Sequence, residues 1–295
     1  MSDSAGTADK SSNRLLGVFL YAAAVLCLAI MDAAAKWLST SFPVGQMLFF
    51  RALFGFIPVA AIFLFDKRNG VPTSLFRVNL LFQVFRGLSV VMITLLFFIS
   101  LKKLKLTDAT AVAMSGPIMM IVLGILLQKE PARADRILCA VLSFVGVLLI
   151  LQPTSDAVSV FGLAAFGSAV FYALAAIFTR ILVRTDGFFQ ISLWSTLLVA
   201  VSGALFLPFE TWTMPYGNDW LVVMLLGIFG GISNILFVTA FRYAQVSLLA
   251  PFDYSIFLWA ILFGFVFFAE IPTLVVLRGA LLIASGGVYL ARRPD

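Results

Sequence analysis

The chain contains no histidine and only two cysteines. Without histidine it has no His-based general acid or base, no His-ligated metal and no Ser-His-Asp triad. Cys27 and Cys139 both lie inside apolar runs, so neither a disulfide framework nor a CxxC metal or redox site is indicated. A phosphate-binding loop of the GxxxxGK[ST] kind is also missing, which argues against direct ATP hydrolysis. These absences argue against an enzyme, and we expect no metal and no cofactor.

Charged residues are scarce as well. The 295 residues are 62% hydrophobic and 12% charged, compared with about 45–50% and 25% in soluble domains. A soluble protein of this size would expose large apolar patches. The net charge is +6, but the basic residues lie in short loops rather than on one continuous face, so nucleic acid is not an expected partner. Composition predicts an integral protein of the lipid bilayer.

Long apolar runs dominate the sequence, and a bilayer-crossing helix needs about 20 such residues. Ten spans are predicted at 15–37, 43–65, 79–100, 108–127, 136–151, 160–182, 187–209, 220–241, 246–268 and 273–290. They lack the period-two alternation of a membrane β-barrel, which favours an all-α fold. Thirteen Lys and Arg fall on the side of the N-terminus and four on the other. This asymmetry predicts that both termini are cytoplasmic.

The spans divide into two similar halves. Residues 15–151 and 159–291 are interpreted as two five-helix repeats, flanked by a disordered cytoplasmic tail (1–14) and a short one (292–295). At an offset of 140 residues the matching pairs include Gly87 with Gly227, Ser115 with Ser255, Glu130 with Glu270 and Gly146 with Gly286. Because each half has an odd number of spans, the second repeat is predicted to be inverted. Inverted repeats are typical of secondary transporters, whose substrate site lies between the halves near mid-membrane.

Residues 86–150 contain a Ser-Leu-Lys helix end, a small-residue helix with a central proline, a glycine, a glutamate at the helix exit and a final Gly-Val. In these features the segment resembles the EamA-type repeat of the drug/metabolite transporter superfamily, and residues 226–290 repeat it more loosely. The resemblance implies a ten-helix inner-membrane carrier, similar to exporters of amino acids and aromatic metabolites. The halves differ chemically, since Phe257 stands where the first repeat has Pro117.

Residues that are equivalent under the duplication should lie at related depths around a central cavity. The polar or bulky members of such pairs, which are our candidates for substrate binding, are Thr94, Met114, Ser115, Tyr172, Asn234, Asp253 and Tyr254. Lipid penalises exposed hydrogen-bonding groups, so the polar ones are expected to face protein or water. Hydrogen bonds between helices explain Asn234 and Tyr254 as well as a pocket does, and they explain Thr94 and Ser115 better.

Ionisable residues inside spans mark either transport paths or charge pairs. Predicted depth puts Asp32, Lys36 and Arg51 in the outer third and Arg86 and Asp253 in the inner third. Two structural or gating clusters are therefore predicted, Asp32 with Lys36 or Arg51, and Arg86 with Asp253. Proton coupling is the alternative for Asp32. For Asp253 the alternatives are contact with a substrate ammonium and proton cycling.

Glu130 and Glu270 are predicted to cap helices or form gating salt bridges at opposite membrane faces. The leading functional hypothesis is a secondary-active or facilitative transporter of the bacterial inner membrane. It would export small amphipathic metabolites, above all amino acids, by alternating access. A multidrug-cation/proton antiporter is the alternative, and a channel or an intramembrane enzyme is more remote. The expected partners are a small-molecule substrate and the lipid bilayer. Proton coupling stays open, as does the choice between monomer and homodimer.

Overall fold

The computed structural model describes residues 3–68, 78–116, 160–243 and 253–291, with isolated positions between 118 and 149. Within these residues every regular element is helical, which confirms the all-α expectation. A 3₁₀ turn at Leu207–Phe209 follows the sixth helix. The α-helices are α1 (Asp3–Leu38), α2 (Val44–Arg68), α3 (Leu80–Leu101), α4 (Leu106–Ala113), α5 (Val160–Leu182), α6 (Phe188–Phe206), α7 (Asp219–Tyr243), α8 (Ser255–Phe268) and α9 (Leu274–Ala291).

Six membrane-length apolar segments are present in the described part of the chain. They are Leu15–Leu38, Val44–Phe65, Leu80–Leu101, Val160–Leu182, Phe188–Phe209 and Asp219–Phe241. Each coincides with a predicted span to within a few residues. Helix α8 is a shorter apolar helix. Eight of the 20 residues of the predicted span 108–127 and ten of the 16 residues of 136–151 lie outside the described residues, so the count of ten and the orientation of the termini stay predictions.

Helix α1 starts earlier than expected. It begins at Asp3, so residues 3–14, which were predicted to form a disordered tail, extend the helix instead. No proline occurs in this segment, and backbone hydrogen bonding can therefore propagate beyond the apolar stretch that starts at Leu15.

The most extensive helix packing joins the first predicted repeat to the second. Helix α1 packs on α7, α2 on α6 and α7, and α3 on α5 and α6. Helix α4 contacts α5 and α8. Buried Met47, Leu48 and Phe98 belong to the largest core cluster, whereas side chains such as Phe85 and Leu258 are exposed where lipid would cover them. The two halves therefore share one interior.

Two glycines of α7 let α2 approach closely. Gly227 and Gly231 form a GxxxG motif. A Cβ atom added at Gly231 would lie 2.8 Å from the carbonyl oxygen of Gly55 and 2.6 Å from Cγ of Pro58. At Gly227 it would lie 3.0 Å from the carbonyl oxygen of Phe50. The motif therefore packs two helices of the same chain, as small-residue motifs do in membranes.

Gly231→Ala should destabilise the protein, because the new methyl group meets backbone that cannot rotate away. Overpacking of this kind costs about 1–3 kcal/mol, and we expect a melting temperature several degrees lower in detergent. Gly55→Ala is the matched control, since its Cβ would lie 3.5 Å from the nearest atom, the carbonyl oxygen of Gly227. Equal melting temperatures for the two variants would contradict the packing interpretation.

Candidate functional site

A cavity of about 190 Å³ lies between the two halves of the bundle. Helices α1, α2, α3, α4, α5 and α7 line it together with the start of α8. Most of its wall is apolar, but four side chains of aspartate or arginine also reach it. They are Asp32, Arg51, Arg86 and Asp253. The structure thus places both signs of charge in one apolar enclosure.

Most of the residues proposed for substrate binding line this cavity. Six of the seven do so, namely Thr94, Met114, Tyr172, Asn234, Asp253 and Tyr254. Ser115 is not among the described lining residues. Its hydroxyl is buried and donates to the carbonyl oxygen of Val112 at 2.8 Å. The hydroxyl of Thr94 donates to the carbonyl oxygen of Val90 at 2.9 Å. Glu130 lies outside the described residues.

Arg86 is held by neutral groups on three neighbouring helices. Its Nε donates to Oγ1 of Thr179 at 2.7 Å, and Nη2 donates to Oδ1 of Asn234 at 2.9 Å. Its Nη1 donates to the carbonyl oxygen of Ile191 at 3.3 Å and to the hydroxyl of Ser195. Arg86 is 4% exposed. Each guanidinium nitrogen therefore has an acceptor supplied by the protein.

Asp253 and Arg86 lie at different depths in the cavity. The hydroxyl of Tyr172 lies 3.1 Å and 3.0 Å from its two carboxylate oxygens and donates to this group. Tyr21 also neighbours the carboxylate. Tyr172 precedes Thr179, a partner of Arg86, by seven residues of α5, and seven residues span about 10 Å along a helix.

The structure describes both Arg86 and Asp253, and these two residues do not form the predicted ion pair. Helix α3 packs on α5 and α6, where acceptors surround Arg86. Asp253 lies just before α8 and meets Tyr172 instead.

Lys36 is paired with the second half of the chain rather than with Asp32. Its Nζ lies 3.7 Å from Oε1 of Glu270. It also donates to the carbonyl oxygens of Leu101, at 3.1 Å, and Leu104, at 2.5 Å. The i,i+4 spacing favoured Asp32. Lys36 lies in the last turn of α1, however, and reaches the negative carboxyl end of α3 as well as Glu270.

Two carboxylates hold helix starts at this end of the molecule. Oε2 of Glu270 accepts the main-chain N–H of Leu106, the first residue of α4, at 2.8 Å. The carboxylate of Glu210 accepts the N–H groups of Gly45 and Gln46 in the first turn of α2, each at 3.1 Å. Sequence reasoning missed Glu210. One signal could have indicated it. Glu210 lies in the short connection after α6, on the side of the membrane where α2 is predicted to begin.

A third carboxylate does the same at the opposite end. Asp186 lies between α5 and α6, and its two oxygens are 3.3 Å and 3.2 Å from the main-chain nitrogen of Asn79, which precedes α3. Nε2 of Gln83 also donates to Asp186, at 2.6 Å. Each of these acidic residues belongs to the second half and binds the start of a first-half helix, where the helix dipole favours negative charge.

Asp32 and Arg51 are close without touching. They lie near enough to interact electrostatically, but their charged atoms are more than 4.0 Å apart. Nε of Arg51 faces Sδ of Met31 at 3.3 Å. Asp32 and Arg51 are thus neighbours, as predicted, but they do not form an ion pair.

An apolar helical bundle that encloses charged and apolar side chains in a cavity between its halves has the architecture of a small-molecule membrane transporter. The model of the EamA-like transporter family matches the chain at residues 15–152 and again at 161–292. The chain therefore belongs to the EamA-like transporter family of the drug/metabolite transporter superfamily.

Similar proteins of known name are transporters. A riboflavin transporter of Brucella anthropi is 23% identical, with 92% of this chain and 96% of the relative covered. A pseudopaline exporter of Pseudomonas aeruginosa is 25% identical, with 94% and 96% covered. An S-adenosylmethionine uptake transporter of Rickettsia felis is 23% identical, with 96% and 94% covered. These names indicate a transporter rather than an enzyme, and none of the three specifies amino-acid export.

The same architecture occurs in a solved crystal structure. It superposes with a TM-score of 0.68 at 21% identity, and 96% of each chain is covered. At this identity the likeness shows the fold alone.

Glu270→Gln should loosen the contacts at the Lys36 end of the bundle and open the cavity to water, because the amide keeps no charge for Lys36 and is a weaker acceptor for α4. We expect a cysteine placed at Phe97, which lines the cavity, to react several-fold faster with a small hydrophilic maleimide. Both native cysteines are replaced by alanine beforehand. Asp219→Asn, outside the described cavity wall, is the control. An unchanged labelling rate would argue against a closing role for Glu270.

Proposed function

We propose that this protein is a secondary-active or facilitative carrier that exports small amphipathic metabolites, above all amino acids, by alternating access. Its proposed location is a bacterial inner membrane, as its similarity to bacterial transporters suggests. One observation carries the proposal, namely the apolar cavity between the halves that also presents carboxylates and guanidinium groups.

The cavity favours a small cargo with both apolar and charged parts. Its volume of about 190 Å³ is below the roughly 300–1,000 Å³ usual for drug-sized ligands. Leu28, Ile93, Phe97, Phe237 and Ile256 offer apolar contact. Asp32 and Arg51 are available to a polar headgroup, whereas a purely apolar solute would leave them in an unfavourable environment.

The duplicated sequence supports alternating access. The family model matches two segments, 15–152 and 161–292, which agree with the two proposed repeats. Carboxylates of the second half close against the first half at both ends, Glu270 at one and Asp186 at the other. A carrier of inverted repeats opens one end while the other stays shut, so these contacts are proposed to break in turn.

Purified protein in liposomes should show saturable counterflow of a labelled apolar or aromatic amino acid when the same amino acid is loaded inside. Unlabelled amino acids, aromatic acids and organic cations are then compared as competitors. We expect amino acids to compete best, because they alone present both charges beside an apolar side chain. Transport that does not saturate would indicate a channel, and competition by organic cations alone would favour the antiporter.

A multidrug-cation/proton antiporter is the second candidate, and Asp253 is the observation that favours it. This carboxylate meets Tyr172 within an apolar and aromatic wall that includes Phe237 and Phe241. Aromatic faces attract organic cations. In either candidate function Asp253 contacts a substrate ammonium or carries a proton.

Asp253→Asn separates these roles from simple packing. The amide keeps the shape and one acceptor for Tyr172 but can neither ionise nor release a proton. We expect the variant to lose most of its transport or its dependence on a pH gradient, while Asp219→Asn behaves as wild type. The measurement is the initial rate of uptake into proteoliposomes between pH 5 and pH 8. A variant that matches wild type at every pH would refute both roles.

A further inference from the structure

The two arginines of the cavity differ in how far the protein satisfies them. Arg86 has an acceptor at each guanidinium nitrogen. The Arg51 side chain makes one hydrogen bond among the described residues, from Nε to the sulfur of Met31 at 3.3 Å, and thioether sulfur is a weak acceptor. The guanidinium of Arg51 therefore has remaining donors at the cavity.

Asp32 shows the complementary situation. It lines the cavity and is 5% exposed, yet no other described residue hydrogen bonds to its carboxylate. Asp253, in contrast, accepts from Tyr172. A carboxylate and a guanidinium that are removed from water are costly unless hydrogen bonds replace the water. Here the two charges face one enclosure, more than 4.0 Å apart.

A ligand that bridges this gap must carry a donor cation and an acceptor anion on neighbouring atoms. A carboxylate can take the two parallel donors of an arginine fork, and an ammonium offers three donors to an aspartate. An α-amino acid has both groups on one carbon atom. A simple amine leaves Arg51 without an anion, and a simple acid leaves Asp32 without a cation.

The surroundings indicate the rest of the ligand. Leu28 and Met31 flank Asp32 on α1, and Val90, Ile93 and Phe97 continue the cavity wall on α3. These side chains favour an apolar or aromatic substituent. The position is also close to the end where Lys36 meets Glu270, since Asp32 precedes Lys36 by four residues, about 6 Å along α1.

We propose that Asp32 and Arg51 form the headgroup subsite for a zwitterionic α-amino acid with an apolar or aromatic side chain. The substrate ammonium lies on the Asp32 carboxylate and the substrate carboxylate on the Arg51 guanidinium. This assignment rests on the proposed function and deepens it. Arg86 is a positioning residue for the cavity wall, and with the ammonium at Asp32 the role of Asp253 is proton transfer.

Three ligands that share one phenyl ring test the assignment on the unaltered protein. Binding of labelled L-phenylalanine to purified protein in detergent is measured by scintillation proximity, with phenethylamine and 3-phenylpropionate as competitors. We expect L-phenylalanine to bind at least roughly tenfold more tightly than either analogue, since each analogue lacks one charge-assisted contact. Equal binding of either analogue, or no binding of L-phenylalanine, would overturn the proposal.

Removing the charge of Asp32 or of Arg51 should abolish only the ligand preference that depends on that charge. Asp32→Asn should weaken L-phenylalanine roughly tenfold or more and leave 3-phenylpropionate within about threefold. Arg51→Gln should do the same to L-phenylalanine and leave phenethylamine within about threefold. Asp219→Asn and Arg184→Gln make the same chemical changes outside the described cavity wall and should bind as wild type. Variants that keep the full wild-type ranking would refute the subsite.

Two further measurements separate the causes of a failure. The melting temperature of each variant shows whether it has folded, and Asp32→Glu should recover the preference for L-phenylalanine over 3-phenylpropionate. If no amino acid shows counterflow in liposomes, the proposed function itself fails. If amino acids are transported but Asp32→Asn and Arg51→Gln keep the wild-type ranking, only the headgroup assignment fails.

Discussion

A permanent positive charge inside an apolar bundle needs acceptors from its neighbours, and the arrangement around Arg86 meets this requirement. Its hydrogen bonds reach Thr179 on α5, Ile191 and Ser195 on α6 and Asn234 on α7. Because withdrawal of an ion from water costs several kcal/mol without such bonds, α3 must stay in register with all three helices. This register places the cavity wall. Arg86 also donates to Oδ1 of Asn234. Asn234 therefore positions Arg86 in addition to lining the cavity.

Hydropathy predicted much of this architecture. The six described membrane-length helices coincide with predicted spans, because a bilayer requires long helices with internally satisfied backbones. The same physics located the cavity residues. Asn234 and Tyr254 stand in apolar surroundings, where lipid contact is unfavourable, and both line the cavity. A polar side chain inside a span therefore predicts which face of its helix turns inward.

The pairing of charges could not be read from the sequence, because local spacing and predicted depth do not define partners. Lys36 and Asp32 are four residues apart, but Lys36 meets Glu270, 234 positions away along the chain. Arg86 donates hydrogen bonds to short neutral side chains, such as those of Ser195 and Thr179. Serine and threonine give little signal in a membrane helix, since each can hydrogen bond to its own backbone. Only tertiary packing selects them.

The carboxylate contacts at the two ends of the bundle use the same chemistry. This similarity bears on the proposed transport cycle. Glu210 and Glu270 at one end and Asp186 at the other each accept main-chain N–H groups near the start of a first-half helix. A hydrogen bond to a charged group contributes about 1.5–3 kcal/mol, and less where water competes. In the alternating-access cycle proposed above, contacts of similar strength at both ends would keep the two facing states within a few kcal/mol of each other. A ligand shifts such an equilibrium only by its difference in affinity for the two states. A small difference in how the cavity binds solute in the two proposed states would then be enough to shift the balance between them.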